Sequence, residues 1–352
     1  MKWIAVSLLL ATQLSAAASA PDPRAVIEHS QSLPPGSIND AKAVTINGIE
    51  QWISVRGTDR RNPILLFIHG GPGSPMLPES WTFQRPWEDF FTVAQWDQRG
   101  AGKTFSLAKR HAGALTVDQM QSDAEQVVEY LRRTYGKEKI FVLGHSWGSI
   151  LGLSLAQRHP EWLYAYIGVG QVVNSRRNEA VGYAQTLAKA RELHNAQAIA
   201  ALEKLAPYPD PENPASLDKV IVERRWDRAL GGMRFGQEND DEQQVRWLSP
   251  AYTAYDRESA DLGEQQSAAA LLPQLWQVNF DQVTEFKCPI IFFGGSADRT
   301  TPTSIVEDYV KRIHAPVKKF FKIEHAAHYV VNESPGIVLM HLVDDVKPLS
   351  GS

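Results

Sequence analysis

A serine flanked by glycines, placed between an apolar run and a helix-like run, constrains this chain more than any other feature. Gly144-His145-Ser146-Trp147-Gly148 follows the apolar run Lys139–Leu143 and precedes the helix-like run Ile150–Arg158. In a G-x-S-x-G turn the serine occupies a strained position, and its neighbours are small because the strand and helix backbones pass too closely for side chains. The positive end of the following helix favours negative charge on a reacting oxygen. The pattern predicts Ser146 as a nucleophile and Gly152 as a close-packing position on the helix.

Short apolar runs separated by helix-like segments predict an α/β fold. Each run is bounded by glycine or proline, as is typical of strands buried on both faces of a sheet. The runs are Pro63–Ile68, Thr92–Gln95, Lys139–Leu143, Leu163–Val169 and Pro289–Phe293. A helix is predicted over Val117–Tyr135, where apolar residues recur at helical spacing before Gly136. The repeated order predicts a mostly parallel central sheet flanked by helices, formed by residues 21–172 and 284–352.

The alternation of strand-like and helix-like segments stops over residues 173–283. This stretch contains Ala-rich helical patterns, a proline-rich turn at Ala206–Pro211 and further helix-like sequence carrying tryptophans. A single crossover between two strands rarely needs so much chain. We therefore expect a helical cap inserted into the α/β core, in preference to a series of additional crossover helices.

Composition excludes several classes of protein. Lys plus Arg number 36 and Asp plus Glu 40, a formal net charge of -4, so the chain lacks the positive excess that nucleic-acid binding requires. Cys288 is the sole cysteine, which excludes an intrachain disulfide and a cysteine-based metal site. His325 and His328 form an H-x-x-H pair, but no carboxylate follows at the spacing of a zinc site. No cofactor and no metal is predicted.

The N-terminus has the pattern of a secretory signal peptide. A lysine precedes the apolar stretch Trp3–Leu10, and an Ala-rich cleavage region follows. Cleavage after Ala18 is favoured over cleavage after Ala20, because the second site would place Pro21 immediately after the cleaved bond, which suits a peptidase poorly. The apolar stretch is shorter than the roughly 20 residues of a membrane-spanning helix. We expect an exported protein, periplasmic or secreted, that loses residues 1–18 and has no stable membrane insertion afterwards.

A glycine-rich loop supplies candidates for an oxyanion hole. His69-Gly70-Gly71-Pro72-Gly73 comes directly after an apolar strand. Acyl transfer needs two preorganised N–H groups aimed at the oxyanion, and glycines let the backbone turn those groups inward. We assign the backbone N–H groups of Gly71 and Trp147 to this role, and a structural hydrogen-bonding role to His69.

The acid and the base are expected after Ser146, because in this type of fold the chain order is serine, carboxylate, histidine. Asp298 stands in a Gly-rich loop after an apolar strand and is the predicted acid. His325 and His328 both follow the strand-like run Lys319–Ile323. Their positions alone leave both open as the base.

Together these motifs resemble the α/β-hydrolase family and, within it, the proline iminopeptidases. The matching segments are His69–Gly73, Trp96–Thr104, Gly144–Ser149, Gly294–Pro302 and His328–Pro335.

The resemblance selects between the two histidines. Family members typically place the catalytic histidine five residues before a Glu-x-Pro sequence, and Glu333-Ser334-Pro335 puts that position at His328. Ala327 replaces the glycine that usually precedes this histidine. The same resemblance implies that Asp97 and Arg99 order a loop through salt links and do not act as catalysts.

The resemblance implies a serine hydrolase that releases an N-terminal residue, usually proline, from a small peptide. The alternative is the same machinery acting on a small ester, lactone or amide. A free amino terminus requires a carboxylate, which in this family comes from the cap. Glu223 and Asp227, with Trp226 between them, are the candidates for substrate binding, and a solvated charged helix face is the simpler interpretation. No oligomeric state is predicted.

Overall fold

The computed structural model describes residues 22–210, 212–213, 216–236 and 242–351. The predicted signal peptide lies outside these ranges. Among the helices within them, none has the length and apolar character needed to cross a membrane.

An eight-stranded sheet forms the centre of the described chain. The strands are β1 (Ile38–Ile46), β2 (Ile49–Gly57), β3 (Ile64–Ile68), β4 (Thr92–Asp97), β5 (Ile140–His145), β6 (Leu163–Val169), β7 (Ile290–Gly295) and β8 (Lys318–Ile323). Their order is β1-β2-β4-β3-β5-β6-β7-β8; β1 and β2 pair antiparallel with their neighbours, and all pairs from β4 to β8 are parallel. The predicted α/β-hydrolase fold with a mostly parallel sheet is confirmed.

The central strands are apolar because both faces of the sheet are covered. Every residue of β3, β4, β5 and β7 is buried, whereas β1 at one edge is largely exposed. This burial accounts for the continuous apolar runs in the sequence. The antiparallel hairpin of β1 and β2 turns at Asn47-Gly48, which have φ values of 43° and 79°. Asn-Gly is the pair preferred in a two-residue turn that needs positive φ at both positions.

Thirteen helices accompany the sheet in the described ranges. They are α1 (Pro23–Ser30), α2 (Gln84–Trp87), α3 (Gly102–Leu107), α4 (Val117–Thr134), α5 (Trp147–Arg158), α6 (Ser175–Glu192), α7 (Ala196–Glu203), α8 (Leu217–Ala229), α9 (Glu242–Leu248), α10 (Ala254–Leu275), α11 (Thr303–Arg312), α12 (Val330–Glu333) and α13 (Pro335–His341). One hydrophobic cluster joins the sheet to α4, α5 and α11, and a second joins its other face to α2, α12 and α13. The helix predicted over Val117–Tyr135 is confirmed as α4.

The described part of the chain between β6 and β7 contains α6 to α10. Ala190, Ala198, Leu202, Leu205 and Leu230 form a small hydrophobic cluster of its own there. α10 begins with a capping box between Thr253 and Asp256. The helical content predicted for this stretch is therefore present, and the segment joins the core at the end of β6 and the start of β7.

Gly152 is a close-packing position, as predicted. A Cβ atom at this residue would lie 2.4 Å from Cε2 of Tyr166. That ring is fully buried, and its hydroxyl lies within hydrogen-bond distance of two acceptors, the side-chain oxygen of Gln171 at 2.6 Å and the backbone oxygen of Ser149 at 3.0 Å. The ring therefore has little room to move away.

We expect Gly152→Ala to lower the free energy of unfolding by about 1–3 kcal/mol, because overpacking forces the buried ring or the helix to shift. Urea unfolding of the purified protein measures the change. The matched control is Gly336→Ala in α13, where an added Cβ would meet no atom within 4 Å. Equal stability of the two variants would contradict the packing argument.

Candidate active site

Ser146, Asp298 and His328 come from three loops at one edge of the sheet. Ser146 follows β5, Asp298 follows β7 and His328 follows β8, and these strands are parallel. Carboxyl ends of parallel strands meet at the same edge, where α/β folds bind their ligands. The topology therefore brings together residues that are far apart in sequence.

Ser146 has the strained backbone expected of this turn. Its φ is 53° and its ψ is -121°, a conformation that is unfavourable for a residue with a Cβ. A Cβ on Gly148 would lie 2.1 Å from the backbone oxygen of Ile68, and one on Gly144 would lie 2.5 Å from the backbone oxygen of Gly148. Both glycines are required for the reason that the motif predicts.

His328 lies beside Asp298 in a buried site. The distance from Nδ1 of His328 to Oδ2 of Asp298 is 3.0 Å. Thr301 donates its backbone N–H to one carboxylate oxygen and its hydroxyl to the other, both at 2.8 Å. If Nδ1 carries the proton toward Asp298, Nε2 is left to accept a proton. His325 is exposed, and its ring packs against Phe235, so the structure places His328 and not His325 next to Asp298.

Gln98 ties the two predicted oxyanion loops together. Its side-chain amide donates to the His69 backbone oxygen at 2.9 Å and accepts from the indole N–H of Trp147 at 2.9 Å. Gly71 has a φ of 110°, which favours glycine. Trp147 is the first residue of α5, so its backbone N–H has no partner within the helix. The role of Gln98 was not predicted from the sequence.

His69 has the structural role that was predicted. Its Nε2 accepts the backbone N–H of Gln98 at 3.2 Å, and its Nδ1 lies 2.9 Å from the backbone oxygen of Gly70. Burial lowers the pKa of His69 to about 4, so the ring is neutral at physiological pH. A neutral ring with both nitrogens engaged holds the glycine-rich loop and is not available as a base.

Asp97 and Arg99 form buried links, but not with each other. Arg99 pairs with Asp123 at 2.8 Å, and Asp97 accepts from the Tyr252 hydroxyl and from the backbone N–H of Lys103 at 2.8 Å. Burial raises the pKa of Asp97 to about 7. These contacts order the loop that carries Gln98, in agreement with the role that the resemblance implies.

A cavity of about 510 Å³ opens over Ser146 and His328. Its lining carries carboxylates from Glu79, Glu179 and Glu264 and guanidinium groups from Arg224, Arg225 and Arg228. Apolar side chains of α8 and α10 contribute much of the remaining wall. Apolar walls combined with charged groups at defined positions are typical of a small-molecule site. No cluster of three potential metal ligands occurs within the described ranges.

Arg246 organises the acidic side of the cavity. It contacts Glu79 at 3.1 Å, Glu264 at 3.5 Å and also Glu242, while Arg234 lies 3.4 Å from Glu79. Burial raises the pKa of Glu79 to about 7 and raises the pKa of Glu264 above its ordinary value. These acids lie far apart in sequence from Ser146 and from one another, and no local motif marks them.

The three residues predicted to bind substrate lie elsewhere. Glu223 is fully buried and accepts from the Thr186 hydroxyl at 2.9 Å, and none of Glu223, Trp226 and Asp227 belongs to the cavity lining in the described ranges. Trp226 is half-buried against the hydrophobic cluster of the helical segment. Burial of Glu223 and Asp227 also differs from the solvated face that was the alternative.

Asp227 begins a segment, residues 227–235, that we call the strap. The Asp227 carboxylate accepts from Nε of Arg299 at 3.0 Å and from the hydroxyl of Thr300 at 2.8 Å, and these residues directly follow Asp298. Farther along the strap, the backbone oxygen of Met233 accepts the N–H of Tyr329 at 3.2 Å.

Glu333 completes this link to the histidine loop. Its carboxylate accepts the backbone N–H of Phe235 in the strap and that of Ala327, the latter at 2.9 Å. The strap is thus hydrogen-bonded to the loop of Asp298 at one end and to the loop of His328 at the other. The Glu-x-Pro motif has a structural reason, because its glutamate holds the backbone beside the histidine.

Comparisons with known proteins point to the same fold. A family model described as the alpha/beta hydrolase fold matches residues 63–335. The probable aminopeptidase YbaC of Bacillus subtilis is 31% identical over 303 residues, which cover 86% of this chain and 94% of that protein. A proline iminopeptidase of Neisseria gonorrhoeae is 39% identical over 97 residues, which cover 28% of this chain and 29% of that protein.

A solved structure is similar over most of the chain. The proline iminopeptidase-related protein from Thermus thermophilus superposes with a TM-score of 0.61 and 19% identity, covering 87% of this chain and 96% of that one. At this identity the match supports the fold.

We expect Asp227→Asn to lower the free energy of unfolding by about 2–4 kcal/mol, since it leaves the buried Arg299 without its charged partner. Hydrolysis of an aryl ester should fall by roughly ten- to hundredfold, because small displacements of reacting groups are costly. Urea unfolding and steady-state kinetics measure the two effects. Asp218→Asn, an exposed position on the same helix, is the control; a wild-type rate in Asp227→Asn would contradict a positioning role for the strap.

Proposed function

Because the chain belongs to the α/β-hydrolase family, we propose that it is a serine hydrolase that releases N-terminal proline, or another N-terminal residue, from short peptides. The observation that carries the proposal is the buried pair of His328 and Asp298 at the cavity into which the Ser146 turn opens. An acyl-transfer enzyme uses a serine, a histidine and a carboxylate as nucleophile, base and acid.

In the proposed reaction, Ser146 Oγ attacks the carbonyl carbon of the first residue while Nε2 of His328 takes the hydroxyl proton. Asp298 orients the ring and stabilises its positive charge. The carbon–nitrogen bond then breaks, and His328 gives the proton to the leaving amine. A water molecule attacks the resulting ester on Ser146, His328 again takes and returns a proton, and the free amino acid leaves.

The oxyanion of both tetrahedral intermediates would lie between the N–H groups of Gly71 and Trp147. The network of Gln98 supports this assignment, because it fixes the glycine-rich loop relative to the start of α5. Preorganised donors of this kind typically supply about 3–4 kcal/mol of transition-state stabilisation each.

We assign recognition of the free amino terminus to the part of the cavity wall formed by Glu79 and Glu264, which we call the acidic wall. Glu264 lies on that wall with a partly exposed side chain, and the buried Glu79 shares the partner Arg246 with it. A substrate ammonium would pair with a carboxylate in a partly desolvated site, where such pairs are stronger than in water. Glu264 and Glu79 therefore replace Glu223 and Asp227 as the proposed substrate-binding acids.

A second candidate function is hydrolysis of a small ester, lactone or amide by the same residues. It is favoured by the apolar stretch of the cavity lining formed by Val220, Ile221, Leu272, Leu275 and Trp276. An apolar acyl or leaving group would bury its surface there without needing the acidic wall. Activity on an aryl ester together with none on any aminoacyl arylamide would favour this candidate over the peptidase.

We expect Ser146→Ala to abolish hydrolysis with little change in stability, because the serine supplies the attacking oxygen. A fluorophosphonate probe should label Ser146 in the folded wild-type protein, as detected by peptide mass spectrometry. His328→Ala should be inactive. His325 is exposed and lies nearby in sequence, and His325→Ala should keep a rate near that of the wild type. An unlabelled Ser146, or the reverse pattern for the two histidines, would refute the assignment.

The acidic wall predicts a pH dependence specific to amine substrates. As pH falls through about 7, Glu79 takes up a proton because burial has raised its pKa, and the wall loses negative charge. The ratio of kcat/KM for a proline arylamide to kcat/KM for an uncharged aryl ester should therefore fall as pH is lowered from about 7 to about 5.5, a range in which most of the substrate amine is already protonated. Taking the ratio cancels the titration of the base, which both substrates share.

Glu264→Gln should lower kcat/KM for the arylamide by about tenfold, since the variant removes one charge-assisted contact. Hydrolysis of the ester should be unchanged. Glu258→Gln, at an exposed position on the same helix, is the matched control. An equal loss on both substrates would argue against an amine-binding role.

A further inference from the structure

One face of α8 lines the cavity along its length. The lining residues are Leu217, Val220, Ile221, Arg224, Arg225 and Arg228. Their spacing is that of a single helical stripe, apolar in its first half and cationic in its second. Neither the proposed mechanism nor the acidic wall uses these arginines.

The cationic half of the α8 stripe and the acidic wall lie at different ends of the cavity. α10 lines the cavity through Glu264, Ala268, Leu272 and Leu275, and the distance along the helix from the first to the last is about 16 Å at 1.5 Å per residue. Glu264 lies at the acidic end of this row of α10 residues.

The other end of α10 adjoins α6, which carries a partner of the arginines. Nε of Arg176 donates to the backbone oxygen of Trp276 at 3.3 Å, and Glu179, one turn later on α6, forms an ion pair with Arg224. The arginines of α8 therefore lie toward the end of α10 that is remote from Glu264.

Arg225 has a guanidinium group available to a ligand. Arg224 is engaged by Glu179 and Glu223. Arg225 stacks on Trp226 at 5.2 Å, is exposed, and forms no ion pair with a carboxylate in the described ranges. A guanidinium held against an aromatic ring at a pocket wall is suited to bind a planar carboxylate.

We propose that Arg225 binds the C-terminal carboxylate of the substrate, so that the preferred substrates are short peptides with both termini free. The inference rests on the proposed function, since it assigns the leaving-group end of the same cavity. An extended peptide spans about 3.3–3.6 Å per residue, so a peptide of three or four residues is about 10–14 Å long and fits within the stretch of about 16 Å over which α10 lines the cavity. The carboxylate stays on the leaving fragment, and no additional covalent step is involved.

The test uses the inactive Ser146→Ala protein and the peptide Pro-Ala-Ala, with either a free C-terminal carboxylate or a C-terminal amide. Isothermal titration calorimetry at low ionic strength should show about five- to tenfold tighter binding of the free acid, and salt should reduce the difference because the site is open to solvent. Adding Arg225→Gln should remove the preference without weakening binding of the amide. Adding Arg191→Gln, an exposed α6 arginine outside the cavity lining, should leave the preference intact.

Equal affinity for acid and amide in Ser146→Ala, or binding of neither peptide, would overturn the inference. A preference that survives Arg225→Gln would overturn it as well. Turnover of proline arylamide by the wild-type protein tests the proposed function separately, because that substrate has no carboxylate. If the wild-type protein does not hydrolyse proline arylamide but Ser146→Ala still prefers the free acid, the peptidase assignment is refuted and the carboxylate site stands.

Discussion

At Gly148 the first turn of α5 passes over the end of β3 so closely that a Cβ would lie 2.1 Å from the backbone oxygen of Ile68. This contact fixes the distance between the Ser146 turn and the glycine-rich loop that continues from β3. A Cβ on Gly70 would lie 3.1 Å from the Cβ of Ser146, so the two loops touch. The proposed nucleophile and the proposed oxyanion donors are therefore positioned by one backbone approach, and Gln98 locks the arrangement with side-chain hydrogen bonds.

The charged groups of the cavity are arranged so that few buried charges stand alone. Taking an ion out of water costs several kcal/mol, which a well-placed partner offsets. On the acidic side Arg246 supplies that partner to three carboxylates, and on α8 the ion pairs of Arg224 do the same. The separation of these two groups gives the pocket a polarity along its length, with the Ser146 turn and His328 in its lining. A substrate carrying opposite charges at its two ends would match that polarity.

The strap connects the helical segment to the site through hydrogen bonds and an ion pair. Asp227 holds the residues after Asp298, and Glu333 holds both the strap and the residue before His328. The loops of the proposed acid and the proposed base are thus both hydrogen-bonded to the strap or to its partner Glu333, and the strap belongs to the segment inserted between β6 and β7. A change in the position of that segment would therefore shift the proposed acid and the proposed base together.

Local sequence determined the elements whose signals are local. The apolar runs located six strands to within about two residues, and G-x-S-x-G located the turn of Ser146 because close backbone packing permits only small residues there. The hairpin of β1 and β2 was missed, although Asn47-Gly48 is a local signal for its turn. Only the tertiary structure decided which acids face the pocket, because Glu79, Arg246 and Glu264 meet through contacts between distant segments. It also decided the orientation of α8. Consecutive residues on a helix point about 100° apart, so Glu223 and Asp227 are buried and hydrogen-bonded to other segments while Arg224 and Arg225 line the cavity.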